Sequence, residues 1–130
     1  MQVTDLEGKT FSWNLSKYIG KKSTDASKLH ISTRNFLTEL WPAILILEEV
    51  TICNLMKLDF YIPSLKIAIE CQGEQHLVYT LFYHGIHKQN FYRSRNRDNN
   101  KAKFCELNNI KLIYFFDDED NDTWKTKIIQ

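Results

Sequence analysis

Two carboxylates stand inside otherwise apolar runs: Asp59 in Met56–Ile62 (MKLDFYI) and Glu70 in Lys66–Gln72 (KIAIECQ). A charge inside a core strand is costly to desolvate unless something compensates it. Period-2 alternation sets Leu58, Phe60 and Ile62 against Lys57, Asp59 and Tyr61. It likewise sets Ile67, Ile69 and Cys71 against Ala68, Glu70 and Gln72. If residues 63–66 form the turn, Ile62 faces Ile67, and three residues further along each strand Asp59 faces Glu70. Opposed residues project to the same face, and opposed like charges destabilise a sheet. A divalent cation with hard oxygen ligands is the natural compensation.

The preceding run, Ile44–Ile52, brings a third acid to the same place. With residues 53–55 as its turn, Glu49 faces Asp59 and Glu48 points to the opposite side; a loop one residue different would exchange them. Any one of these acids alone reads better as an edge or strand-end residue facing water. Three of them on three adjacent strands argue for one patch. Gln72 shares the face of Glu70, but it is neutral and only hydrogen-bonds. A charged partner must come from elsewhere, and Lys101 is the candidate. Asp98 and Lys101 are i, i+3 neighbours, a spacing that an ordinary surface pair on a helix also satisfies.

The elements that must hold these groups follow from pattern and punctuation. Residues 3–13 suggest a small hairpin turning at Gly8, and residues 20–28 an exposed loop. Ser32 is expected to cap a helix running to Leu40, ended by Pro42. The three strand runs with short links predict an antiparallel meander. Residues 88–107 have helical composition, Asn108-Asn109 is a stop signal, Ile110–Phe116 is a buried strand, and Thr123–Gln130 a short closing helix. The expected fold class is α/β, in a single domain of 130 residues.

Composition is that of a globular protein, with 43% hydrophobic and 25% charged residues. The longest apolar run, Ala43–Leu47, is too short to span a bilayer, and the first residues lack the form of a signal peptide. Three cysteines with no C-x-x-C pair suggest reduced thiols in an intracellular, cytoplasmic protein rather than a zinc cluster. Net charge is only +1, yet Lys88, Arg93, Arg95, Arg97, Lys101 and Lys103 face one acid, Asp98, within a single stretch. Such a stretch either binds phosphates or forms a solvated helix face. The acids from Asp117 to Asp122 read as a solvated loop. The aromatics between Tyr79 and Tyr92 read mainly as core, with base stacking as the alternative. His84 and His87 in that stretch show no spacing that supports zinc.

At this point the residues resemble a family. Glu49, Asp59 and Glu70-Cys71-Gln72 resemble the D…(D/E)-x-K core of the PD-(D/E)XK nuclease superfamily, with glutamine in place of lysine. Within it, LDFYIPSLKIAIECQGEQH (residues 58–76) is similar to the branch containing very-short-patch-repair endonucleases and related phage and bacterial endonuclease domains. Arg97-Asp98-Asn99-Asn100-Lys101 matches that branch's R-D-x-x-K helix, and NNIKLIYF the strand after it. The resemblance covers about residues 34–116 and leaves residues 1–30 unassigned.

The resemblance implies a restriction-endonuclease-like central mixed sheet flanked by helices, and Mg²⁺-dependent hydrolysis of DNA phosphodiesters, with Mn²⁺ able to substitute. Asp59, Glu70 and the Cys71 carbonyl would hold the metal. Glu49 would complete the site directly or through water, with Glu39 as the fallback. Lys101 would stand in for the missing lysine. His76, beside Gln75, would contact phosphate or protonate the leaving group, or else simply pack at a strand–helix junction. Lys88, Arg93, Arg95, Arg97 and Lys103 would hold the DNA backbone, and Asp98 and Glu48 would support the site. Cutting both strands would need a homodimer or two successive nicks. The glutamine at position 72 keeps a second function open: a nuclease-fold module that binds nucleic acid without cutting. A third is an interaction protein that binds no nucleic acid.

Overall fold

The computed structural model describes residues 1–53, 56–72 and 99–130. Its centre is a four-stranded mixed sheet in the order β3 (Leu47–Thr51), β4 (Lys57–Ile62), β5 (Ile67–Gln72) and β6 (Lys111–Phe116). The first three strands are an antiparallel meander, and β6 lies parallel to β5. Ile62 pairs with Ile67 and Phe60 with Ile69, the register required by a turn at residues 63–66. Lys66, with φ +53°, gives that turn its left-handed residue. A parallel neighbour requires a crossover, and the chain makes it between residues 72 and 111.

Each sheet face is covered. On one lie α1 (Lys28–Leu40) and α3 (Asn121–Ile129). Leu29, Phe36, Leu37 and Trp124 pack there against Phe60, Ile62, Ile67, Ile69, Ile113 and Phe115. Trp124 stacks on Phe115 with centroids 4.5 Å apart. On the other lie α2, helical over residues 99–107, and a hairpin of β1 (Gln2–Thr4) and β2 (Thr10–Ser12). Trp13 and Phe104 meet Leu47, Leu58, Tyr61 and Ala68 across this face. The hairpin turns at Gly8, whose φ of +86° suits a residue without a Cβ. Asn108 ties it to the end of α2, accepting from the Thr4 amide at 2.7 Å and donating to its carbonyl at 2.9 Å.

Two expectations are corrected. The first helix begins at Lys28, capped by the Ser27 hydroxyl on the His30 amide, so Ser32 is an interior helical residue. The first strand begins at Leu47 because the chain leaves the helix through a turn in which the Ile44 amide reaches the Trp41 carbonyl. The acidic run from Asp117 is an exposed loop as far as Asp120, as expected, with two fixed points: Asp120 caps α3, and Glu119 accepts from the Phe116 amide and pairs with Lys127. The sequence-derived roles for Gln75, His76, Lys88, Arg93, Arg95, Arg97 and Asp98, and the readings of His84, His87 and the aromatics at 79–92, lie outside the described residues. Among the described residues no helix is long and apolar enough to cross a membrane.

Candidate metal centre

The site begins where the ladder fails. Strands β3 and β4 pair at Leu47–Tyr61, Glu48–Phe60, Val50–Leu58 and Thr51–Lys57, and the missing rung is Glu49–Asp59. Alternation slips at the same place. Leu47 and Val50 enter one core cluster although three residues apart, as do Leu58 and Tyr61. Glu49 takes up the slip with φ +52°, a left-handed conformation that side chains with a Cβ adopt at a cost of about 1 kcal/mol or more.

The β4–β5 ladder likewise ends at Phe60–Ile69, one step short of Asp59–Glu70. In place of the next rung, the Cys71 amide donates to Asp59 Oδ2 at 2.8 Å. The side chain has thus substituted for a backbone acceptor, and Asp59 is pinned at the mouth of the break.

Glu70 points to the α2 side and is 4% exposed. Burial, and then the negative charge of Asp59 beside it, push its carboxyl up to about 9, against the opposing pull of Lys101. Lys101 Nζ stands 2.9 Å from Glu70 Oε1. That contact is ionic but poorly directed, and Oε1 has no donor in hydrogen-bond geometry among the described residues. At neutral pH a proton on Glu70 relieves its repulsion with Asp59, and a divalent cation bound there would take that proton's place. Cys71, whose carbonyl was expected to contribute, has its thiol on Thr33 Oγ1 at 3.4 Å, and burial pushes that thiol up to about 12. It is a packing thiol, not a thiolate ligand.

The α1 side contributes a network that the sequence reading missed. Glu48 is buried and accepts from Arg34 Nε and Nη2 at 2.7 and 2.8 Å, from His30 Nε2 at 2.8 Å and from the Ser23 amide at 3.2 Å. Burial opposes its ionisation, yet these donors and the Arg34 charge outweigh it and hold the carboxyl at about 2. One nitrogen of His30 and one oxygen each from Glu49 and Asp59 lie within 4.8 Å of one another.

The residues expected to act together therefore divide. Asp59 stands between two groups, with Glu70 and Lys101 on the α2 side and Glu49 and His30 on the α1 side. Gln72 is half-buried at the end of β5, paired in the ladder with Phe116. Lys103 is exposed on α2, away from Glu70. Glu39 is exposed too: the sheet-facing residues of α1 are Leu29, His30, Thr33, Phe36 and Leu37, so the fallback ligand is on the wrong side of its helix. The helix contributes through its first two turns instead. The signal was available, since His30, Thr33 and Leu37 keep an i, i+3, i+7 spacing once Ser27 is taken as the cap.

Comparison with known proteins gives two viral relatives. A protein described as "Uncharacterized protein 094L" of Frog virus 3 (isolate Goorha) is 41% identical over 58 residues, covering 45% of this chain and 37% of that protein. "Uncharacterized protein 307L" of Invertebrate iridescent virus 6 is 34% identical over 58 residues, covering 45% of this chain and 29% of its own length. The matched segment thus spans about a third of the length of these relatives. No family model and no solved structure matches the chain.

Proposed function

We propose that this chain is a metal-dependent DNA endonuclease with a restriction-endonuclease-like core. The observation that carries the reading is Asp59 at a break in both ladders, reached by Glu70 with Lys101 2.9 Å away on one side and by Glu49 and His30 on the other. The order of a helix, an antiparallel meander, a second helix and a strand parallel to the meander's last member supports the finer reading of the fold. Carboxylate oxygens fit a hard divalent ion such as Mg²⁺ or Mn²⁺, with Asp59 as the central ligand and Glu49 or Glu70 completing the site from either side. When bound, the ion polarises a phosphoryl oxygen and lowers the pKa of its water.

The chain's own residues do the rest. Asp59 is oriented by the Cys71 amide, so its position does not depend on the ligand. Glu70 is held near Lys101, whose ammonium is placed to orient a nucleophilic water or offset phosphate charge once Glu70 turns to a cation. Gln72 supplies neutral hydrogen bonds only, so the cationic role passes to α2. Supercoiled plasmid incubated with Mg²⁺, Mn²⁺ or EDTA tests this. The expected result is metal-dependent nicking that is abolished in Asp59→Asn and Glu70→Gln and falls on the order of 100-fold in Lys101→Ala. Gln72 favours one alternative, a domain that binds without cutting. Retarded DNA at low salt with no nicking in any divalent metal would establish it in place of the endonuclease.

A further inference from the structure

We infer that His30 is a nitrogen ligand of this centre, held in place by Glu48, and that the site therefore selects Mn²⁺ and later first-row ions over Mg²⁺. The inference rests on the proposal above that the break in the ladder holds a divalent ion. It adds a ligand from α1 that oxygen chemistry alone would not supply.

Glu48 takes a two-point contact from Arg34. As an ionised carboxylate, Glu48 accepts only, so Nε2 of His30, 2.8 Å away, is the nitrogen that donates. That leaves Nδ1 as the other ring nitrogen, with no hydrogen-bond partner among the described residues. A carboxylate that fixes tautomer and orientation from the far side of the ring is what a metal-binding imidazole requires.

The ring is also immobilised. It is 5% exposed and stacks on Phe60 with centroids 4.4 Å apart. Its backbone amide is fixed by the Ser27 cap. A buried histidine whose only task was to satisfy Glu48 would be explained by this packing alone. It would not need to stand beside two further carboxylates, and it does: the donor atoms of His30, Glu49 and Asp59 span at most 4.8 Å. Ligands on opposite sides of an octahedral ion with bonds near 2.1 Å stand about 4.2 Å apart. At most one of the three pairs can be so placed, the others standing about 3.0 Å apart, so the half-buried Glu49 and Asp59 side chains must swing inward to the fixed ring to close the group.

One imidazole among oxygens changes the metal's ranking. Mg²⁺ prefers carboxylate, carbonyl and water, whereas affinity of a mixed nitrogen–oxygen set rises from Mn²⁺ towards Co²⁺ and Ni²⁺. Removing the nitrogen should flatten that preference while leaving Mg²⁺ binding nearly unchanged.

The test is pulsed EPR of the full chain loaded with Mn²⁺ alone. The expected spectrum shows ¹⁴N modulation from a directly bound imidazole, shifting to the ¹⁵N pattern on ¹⁵N-histidine labelling and absent from His30→Gln. By titration, His30→Gln should bind Mn²⁺ about 10- to 100-fold more weakly. Its Mg²⁺ affinity should change by less than about 3-fold, an imidazole being a poor donor for that ion. The wild-type spectrum needs no variant, so the test stands even where His30→Gln folds poorly. A Mn²⁺ signal lost in Asp59→Asn but lacking nitrogen modulation in wild type would overturn the inference and leave the oxygen centre standing. Nitrogen modulation that persists in folded His30→Gln would overturn it as well. Absence of any Mn²⁺ binding would overturn both it and the metal reading beneath it.

Discussion

Replacing Glu48 by glutamine isolates the contribution of the network behind the site. The carboxylate accepts from two nitrogens of Arg34, from His30 Nε2 and from the Ser23 amide. Three of these bonds end on Oε1 and one, from Arg34 Nε, on Oε2, so glutamine with its oxygen at Oε1 still turns an amino group on Arg34 Nε and removes the charge that the others pair with. Breaking a buried charged pair costs about 3–5 kcal/mol. The Arg34 side chain is 19% exposed and regains water, which brings the expectation down to about 2–3 kcal/mol. For a chain of this size that is about 6–12 °C in Tm.

The pH dependence provides a second, independent figure. The Glu48 carboxyl is lowered from 4.5 to about 2. At about 1.4 kcal/mol per pH unit this amounts to at most about 3.4 kcal/mol, and about 2 after allowing for solvent at Arg34. Because the folded-state value is the lower one, the stabilisation is present above 4.5 and is lost as pH falls towards 2. Urea unfolding followed by tryptophan fluorescence should therefore show Glu48→Gln less stable by about 2–3 kcal/mol at pH 7, with an unchanged m-value. Less than half of that gap should remain at pH 3. A variant within about 0.5 kcal/mol of wild type at pH 7, a deficit typical of an exposed pair, would refute the reasoning. So would a gap of constant size between pH 7 and 3.

Two further outcomes test other parts of the structure. Glu49→Gly should hold or raise thermal stability by up to about 1 kcal/mol, since glycine accepts the left-handed backbone at +52°, while weakening Mn²⁺ affinity at least about 10-fold; a loss of stability measured by calorimetry would refute the strain argument. Asn108→Ala should cost about 2 kcal/mol by removing both bonds to Thr4 and the one donated to the Phe104 carbonyl; backbone amide exchange should rise first in the hairpin, and unchanged protection there would show that the hairpin is held by Trp13 alone.

The meander was legible because short turns and β-branched alternation fix both register and face. Ile62 opposite Ile67 followed from loop length alone. The start of α1 was not, because Ser27 and Ser32 are equally good capping residues by type. Only the buried positions His30 and Thr33 distinguish them, and the polar stretch before Leu29 hides that pattern. His30 was overlooked for the same reason: it has no sequence partner at metal-ligand spacing, and its partners Glu48, Glu49 and Asp59 come from two other elements. The slip at Glu49 had no signal at all. Glycine or asparagine marks left-handed residues, and a glutamate within a β-branched run marks a regular strand.

The broken rung is better understood as a requirement of the site than as a defect in the sheet. In an unbroken ladder Glu49, Asp59 and Glu70 would project to the same face, the one that Phe104, Trp13 and Tyr61 fill with apolar side chains. Three carboxylates there would be desolvated together with one lysine among them. Slipping the pleat at one position on each of β3 and β4 leaves Glu70 to Lys101 and turns Glu49 towards His30. Asp59 is then the residue reached from both faces. The cost is one left-handed residue and two missing rungs. It is offset locally by the Cys71 amide on Asp59 and, on the flank, by Arg34 and His30 on Glu48. The compensation is asymmetric, because Glu48 has four donors whereas Glu70 has one oblique lysine. A proton compensates the Glu70 side, and one ring nitrogen of His30 lies within 4.8 Å of Glu49 and Asp59 on the other. A single cation near Asp59 is the occupant that answers both.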